Sequence, residues 1–156
     1  MAAVYHILAN PSISEALRRE LVAAIPDADT LPTFQQIEAL PFLNAIIQET
    51  IRLHPGVLSR QARISPDAPI AYGKYVIPPG TVYSMTSLTT HLSAAEYGPD
   101  PYVFRPQRWI DNPKIARAFL GFSRGSRNCL GMNLARTRPP TCESLGMSCC
   151  IWCPVG

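Results

Sequence analysis

The ten residues Phe122–Gly131 read Phe-Ser-Arg-Gly-Ser-Arg-Asn-Cys-Leu-Gly, with Arg124 and Arg127 ahead of Cys129 and glycines at 125 and 131 on either side of it. Apolar residues resume at Leu130, Met132 and Leu134, which predicts a helix starting there. Cationic neighbours and a helix N-terminus favour the thiolate, the form of cysteine that ligates metal. Taken alone, the loop reads first as inert packing, because free cysteine behaves mostly as a small buried hydrophobe. A second pair with chemical interest is Glu49 and Arg52, three residues apart and so on one helix face. Such a pair is worth little at a surface and a great deal in a core. A third group, Cys142-x6-Cys149-Cys150-x2-Cys153, contains the Cys-x-x-Cys spacing of zinc sites. The adjacent cysteines and the absence of a surrounding pattern favour an unstructured tail instead.

The elements that must position these groups are legible in part. Residues 2–9 read as the last turns of a helix, and Asn10-Pro11 marks a boundary. Ser12-x-x-Glu15 has the form of a capping box, and Ile13, Leu17, Leu21 and Ile25 recur every fourth residue, which predicts an amphipathic helix over about 12–24 that Pro26 stops. Thr33-x-x-Gln36 repeats the capping pattern and opens a short helix to about Leu40. Pro41 suits the first turn of the next helix, whose Phe42, Leu43, Ile46, Ile47 and Ile51 make a broad apolar face. That helix carries Glu49 and Arg52 to about Leu53 and is expected to be buried.

Beyond Pro55 the pattern shortens. Strands are expected at 59–64, 70–72, 75–77 and 81–85, with Gly73-Lys74 as a hairpin connection and Pro78-Pro79-Gly80 as a type II turn. A turn or two of helix is expected near 87–92, mainly ordered coil over 97–113, and a short helix within 112–120.

Composition narrows the function classes. A chain of 156 residues holds at most one ordinary domain. Fourteen basic against 11 acidic residues, with Arg18-Arg19 the only adjacent basic pair, make no nucleic-acid footprint. The apolar N-terminal run is short and lacks a basic leader, so neither a signal peptide nor a membrane anchor is expected. Five cysteines is an odd number, which does not suggest a complete disulfide framework.

Three stretches together resemble the C-terminal part of a cytochrome P450, a heme-thiolate monooxygenase, in its eukaryotic, fungal microsomal branch. They are Glu49-x-x-Arg52 followed by Leu53-His54-Pro55, then Phe104-x-Pro106-x-Arg108-Trp109, then Phe122-x-x-Gly125-x-Arg127-x-Cys129-x-Gly131. The last matches the family's cysteine-loop pattern at every fixed position. The resemblance covers roughly residues 2–135. It implies a mainly α fold with a small β-sheet (α+β), namely the C-terminal, proximal-side part of the P450 fold over residues 1–135. Residues 136–156 are then a divergent Cys/Pro-rich tail, expected to be disordered.

The resemblance also implies a cofactor, heme b, with Cys129 as the axial ligand of its iron. Phe122, Gly125, Arg127 and Gly131 would form the rest of the cofactor-binding loop, with Arg127 on a propionate and backbone N–H groups shielding the sulfur. Arg63 and His91 fall where many members place further propionate partners. Val57 and Leu58 would face the substrate. Glu49, Arg52 and Arg108 would make the family's buried structural triad, although Gln107 stands where a glutamate is usual. The partners implied are an NADPH-dependent electron-donor reductase, a small hydrophobic organic substrate and dioxygen, at the cytosolic face of the endoplasmic reticulum membrane.

Two departures accompany the resemblance. The acid–alcohol pair of the family's oxygen-binding helix is not present in residues 2–9, and Pro139-Pro140 breaks the helix expected after Cys129. They support an alternative expectation, a truncated non-catalytic fragment with little heme binding.

Overall fold

The computed structural model describes residues 2–25 and 32–132. Its first element, α1 (Ala2–Ala9), ends where Asn10 takes extended backbone angles and Pro11 opens α2 (Pro11–Ala24). The Asn10 amide donates back to the His6 carbonyl at 2.7 Å, so it ties down the end of α1 rather than capping α2. The capping box expected at Ser12 does not form, because Pro11 already occupies the first helical position and Ser12 lies inside the helix. Glu15 faces Arg19 one turn on, at 3.8 Å. Pro26, the expected stop, lies outside the described residues.

The Thr33 box is present in full. Thr33 accepts from the Gln36 amide, and the Gln36 side chain accepts from the Thr33 amide at 2.8 Å, opening α3 (Phe34–Glu38). Next comes α4 (Pro41–Leu53), with Pro41 in its first turn. Its free N-terminal amides are met from another helix: the Glu20 carboxylate on α2 accepts from Phe42 N–H at 2.7 Å and Leu43 N–H at 2.9 Å. A carboxylate there satisfies two orphan donors and complements the positive end of the helix dipole.

The sheets are two separate antiparallel ribbons. In the first, β1 (Gln61–Ile64) pairs with β4 (Val82–Met85), Gln61 opposite Met85. In the second, β2 (Ile70–Tyr72) pairs with β3 (Tyr75–Ile77) across Gly73-Lys74. The Pro78–Thr81 turn closes with Thr81 N–H on the Pro78 carbonyl at 3.3 Å, and Gly80 has the positive φ of 76° that a type II turn requires. Every residue of β1 and β4 is exposed.

Thr86 caps α5 (Ser87–His91), followed by α6 (Ala94–Tyr97), α7 (Gln107–Asp111) and a 3-10 turn at Pro113–Ala118. The region expected as coil over 97–113 thus contains a five-residue helix, α7. It is too short to show periodicity, and it is held by the side chains that Arg108 and Trp109 send into the core.

Two apolar clusters flank α4. Leu43 and Ile46 pack with Ile7, Leu17, Leu40 and Phe104, while Ala45 packs with Tyr97, Trp109, Ile115 and Ala118. Helix α4 therefore lies between them and buries two charged residues, Glu49 and Arg52, at 0% exposure. The mixture of helices with small antiparallel sheets is the α+β class expected.

Candidate functional site

Glu49 is the centre of a buried ionic cluster. Its carboxylate accepts from Arg52 twice, at 2.8 Å each, from Arg108 Nε at 3.1 Å, from the Arg105 backbone N–H at 3.0 Å and from the Trp109 indole at 2.9 Å. Five donors on one carboxylate offset its burial. Burial pushes its acidity down, but the Arg52 and Arg105 hydrogen bonds and the Arg52 charge outweigh this and hold Glu49 below the usual carboxyl range.

Both arginines spend their remaining donors on backbone carbonyls at the ends of α5 and α6 and in the coil after α6. Arg52 donates to the carbonyls of His91 at 2.7 Å and Pro101 at 2.6 Å, and Arg108 to those of Tyr97, of Asp100 at 2.9 Å and of Val103 at 3.0 Å. The Arg52 guanidinium also lies over the Tyr97 ring, 4.9 Å from its centroid. The structure thus brings Glu49, Arg52 and Arg108 together and uses them to fix an otherwise irregular backbone. Gln107 lies outside this cluster and donates to Asp111 at 3.1 Å. Its neutral side chain removes no charge from the core.

The cysteine loop follows α7 and the 3-10 turn at Pro113–Ala118, beyond the coil that the two arginines fix. Leu120–Gly121–Phe122 forms its stem. A Cβ on Gly121 would lie 2.4 Å from the Phe119 ring and 2.5 Å from Ile51 of α4, so only glycine permits this approach. Ser123 and Gly125 then take positive φ angles of 61° and 76°, which reverse the chain. A single 3-10 turn spans Gly125–Arg127, and Cys129 N–H returns to the Phe122 carbonyl at 2.8 Å. The result is a closed loop that presents Cys129 as an exposed, free thiol. Leu130 beside it is fully exposed, Phe122 is half-buried, and a Cβ on Gly131 would lie 3.8 Å from the sulfur. Arg124 donates to the Ala116 carbonyl at 3.1 Å. Of Arg127 the backbone alone is described. The helix expected after Leu130 falls almost wholly outside the described residues, as do Cys142, Cys149, Cys150 and Cys153.

The other candidates sit elsewhere. Arg63 is exposed on β1, its Nη1 on the neighbouring Ala62 carbonyl at 3.2 Å. Val57 and Leu58 are exposed after α4. His91 corrects the expectation placed on it. It is completely buried, its Nδ1 is 3.1 Å from the Arg52 carbonyl and its Nε2 accepts from Leu120 N–H at 2.9 Å. Both ring nitrogens are occupied inside the protein, so none is left for a propionate. Among the described residues no three His, Cys, Asp or Glu side chains gather as a metal site.

Sequence reasoning did not single out Gly121, nor the Trp109 indole as a donor to Glu49. The aromatic pattern Trp109, Phe119, Phe122 was the available signal: Trp109 meets Phe119 edge-on at 5.5 Å, and Phe119 meets Phe122 at 6.3 Å.

Comparison with known proteins agrees with this geometry. The family profile described as Cytochrome P450 matches residues 1–138. The cytochrome P450 monooxygenase tndB of Aspergillus flavipes is 44% identical over 131 residues, covering 82% of this chain and 27% of that protein. The cytochrome P450 monooxygenase tpcC of Cochliobolus heterostrophus is 42% identical over 137 residues, covering 84% of this chain and 26% of that protein. Stellatic acid synthase of Emericella variicolor is 38% identical over 161 aligned residues, covering 85% of this chain and 30% of that protein. The chain spans about a quarter of the length of the curated relatives it matches. On the family match and these identities, the chain belongs to the cytochrome P450 family.

Proposed function

We propose that this chain forms the proximal, heme-thiolate side of a monooxygenase, with Cys129 as the axial ligand of heme iron. The observation that carries the reading is the exposed thiol of Cys129, held on a closed loop beside exposed Leu130 and anchored to a rigid ionic core. A free sulfur beside an exposed leucine, with arginines in the same loop, suits an iron macrocycle that bears carboxylates. When bound, thiolate-ligated heme supplies the activation of dioxygen, because the sulfur pushes electron density toward iron and favours O–O cleavage.

This chain's own residues hold and shield that group. Phe122 would pack against it and Arg127 would meet a propionate, while Gly125 gives the loop its reversal and Gly131 lies beside the sulfur. Arg63 is a second candidate for a propionate, and Val57 and Leu58 for substrate contact. Glu49, Arg52 and Arg108 position the coil and take no part in the chemistry. An NADPH-dependent reductase, a small hydrophobic organic substrate, dioxygen and a site at the endoplasmic reticulum membrane belong to the same proposal, on family membership alone. Among the described residues no helix is long and apolar enough to cross a membrane.

A second reading, a truncated, non-catalytic chain that binds heme weakly or not at all, is favoured by the exposed Val57, Leu58, Ile64 and Val82. Hemin titration of the purified chain separates the two. Saturable one-to-one uptake supports the first reading, and no uptake supports the second. Zinc retained in stoichiometric amount and lost in Cys149→Ser would instead assign a metal role to the cysteines of the tail.

A further inference from the structure

We propose that His91 is a positioning residue, an uncharged imidazole that clamps the entry of the cysteine loop to the end of α4 through both of its ring nitrogens. The loop's importance rests on the reading of Cys129 above, but the clamp stands on its own geometry.

The Leu120 N–H points at Nε2 at 2.9 Å, so that nitrogen must carry a lone pair. The proton then sits on Nδ1, which donates to the Arg52 carbonyl at 3.1 Å. That carbonyl lies in the last turn of α4, where the helix leaves its acceptors unpaired. The connection is reciprocal, because Arg52 Nη1 donates to the backbone carbonyl of His91 at 2.7 Å. The ring itself is stacked on Phe119, with centroids 5.6 Å apart, and meets Tyr97 edge-on at 6.4 Å. It cannot turn without opening the core.

What the clamp holds is the stem of the loop. Leu120 N–H is taken by His91, Gly121 is wedged between Phe119 and Ile51, and the Phe122 carbonyl receives Cys129 N–H. Three consecutive residues are thus fixed immediately before the segment that carries the sulfur. Arg52 is shared between this clamp and Glu49, so His91 links the ionic core to the loop.

Protonation would undo the arrangement, since an imidazolium has two donors and no acceptor for Leu120. The groups that face the ring are the Arg52 guanidinium from α4, whose charge disfavours a second cation, and the neutral Tyr97 phenol from α6 and Phe119 ring, and among the described residues no carboxylate is hydrogen-bonded to His91. Burial lowers its proton affinity most, the Arg52 carbonyl bond opposes this, and the Arg52 charge adds to the lowering.

Peptide-resolved hydrogen exchange on the 156-residue chain tests the clamp without any cofactor. His91→Asn keeps a donor near the Nδ1 position and removes the Nε2 acceptor. His91→Gln can carry its amide oxygen to the Nε2 position, where it does not titrate. The expected result is that protection over residues 119–122 falls about tenfold in His91→Asn, the order for one buried hydrogen bond. It recovers in His91→Gln, and α4 keeps its protection in both. Lowering the pH from about 7.5 to about 5 should loosen the same segment in the native chain and leave His91→Gln level. Unchanged protection in His91→Asn, or the same pH profile in native and His91→Gln chains, would overturn the proposal. Neither readout depends on heme, so the clamp can fail while Cys129 still binds iron, and the reverse.

Discussion

Glu49 on α4 and Arg108 on α7 lie 59 positions apart in the chain, yet their side chains meet at 3.1 Å in a site closed to solvent. The pair joins the first half of the described chain to the coil leading to Cys129. Its removal is therefore expected to act at a distance. Glu49→Ala would leave Arg52 and Arg108 buried without their counter-ion, a loss of about 3–5 kcal/mol. Urea denaturation followed by circular dichroism measures it, and a loss under about 1 kcal/mol would show that the cluster is not the clamp described.

Trp109 contributes one polar bond and much apolar contact. Trp109→Phe keeps a ring against Tyr97 and Phe119 and removes only the indole donor to Glu49. The expected cost is about 1.5–3 kcal/mol in the same denaturation experiment, the range for one hydrogen bond to a charged group.

Gly121→Ala should prove as harmful as many larger changes. The new methyl group would meet the Phe119 ring and Ile51 well inside contact distance, and neither neighbour is a flexible chain end. A destabilisation of about 1–3 kcal/mol is expected in the same denaturation experiment, with lower hydrogen-exchange protection over residues 119–122. Gly56→Ala, where a Cβ meets nothing within 4 Å, serves as the control and should change neither measurement.

These three sites differ in how visible they were in the sequence. Helix α4, the Thr33 cap, the β2–β3 hairpin and the Pro78–Thr81 turn were legible because local spacing and turn chemistry decide them. The triad residues were legible only through motif resemblance, since nothing local says that Glu49 and Arg108 meet. Helix α7 was not legible, because tertiary hydrogen bonds hold five residues that carry no periodic signal. Glu20 as the cap of α4 was equally hidden: its partners lie 22 and 23 positions away. The propionate role of His91 comes from family resemblance, and nothing local in the sequence says that the core takes up both of its ring nitrogens.

Acid should destabilise the chain in two stages. His91 and His6 are both held below the ordinary imidazole value of about 6.5, mainly by burial, with His54 beside His6 adding to it. The unfolded chain therefore binds protons more readily than the folded one as the pH falls below that value, and stability declines there. Glu49, held below the ordinary carboxyl value of about 4.3, contributes stability above that value and loses it as the pH falls through its own lowered range. Urea midpoints measured across pH should show the first decline, reduced in His91→Gln, and then the second. A midpoint independent of pH between about 7 and about 5 would contradict the first.

The identity of the iron ligand can be read from the absorption spectrum of the reduced, carbon-monoxide-treated hemin complex. The native chain should show the red-shifted Soret band of a thiolate-ligated heme, even where uptake is partial. The band should be retained in a variant with Cys142, Cys149, Cys150 and Cys153 changed to serine and abolished by Cys129→Ala. A native complex without that band, or one that keeps it in Cys129→Ala, would contradict the assignment of Cys129.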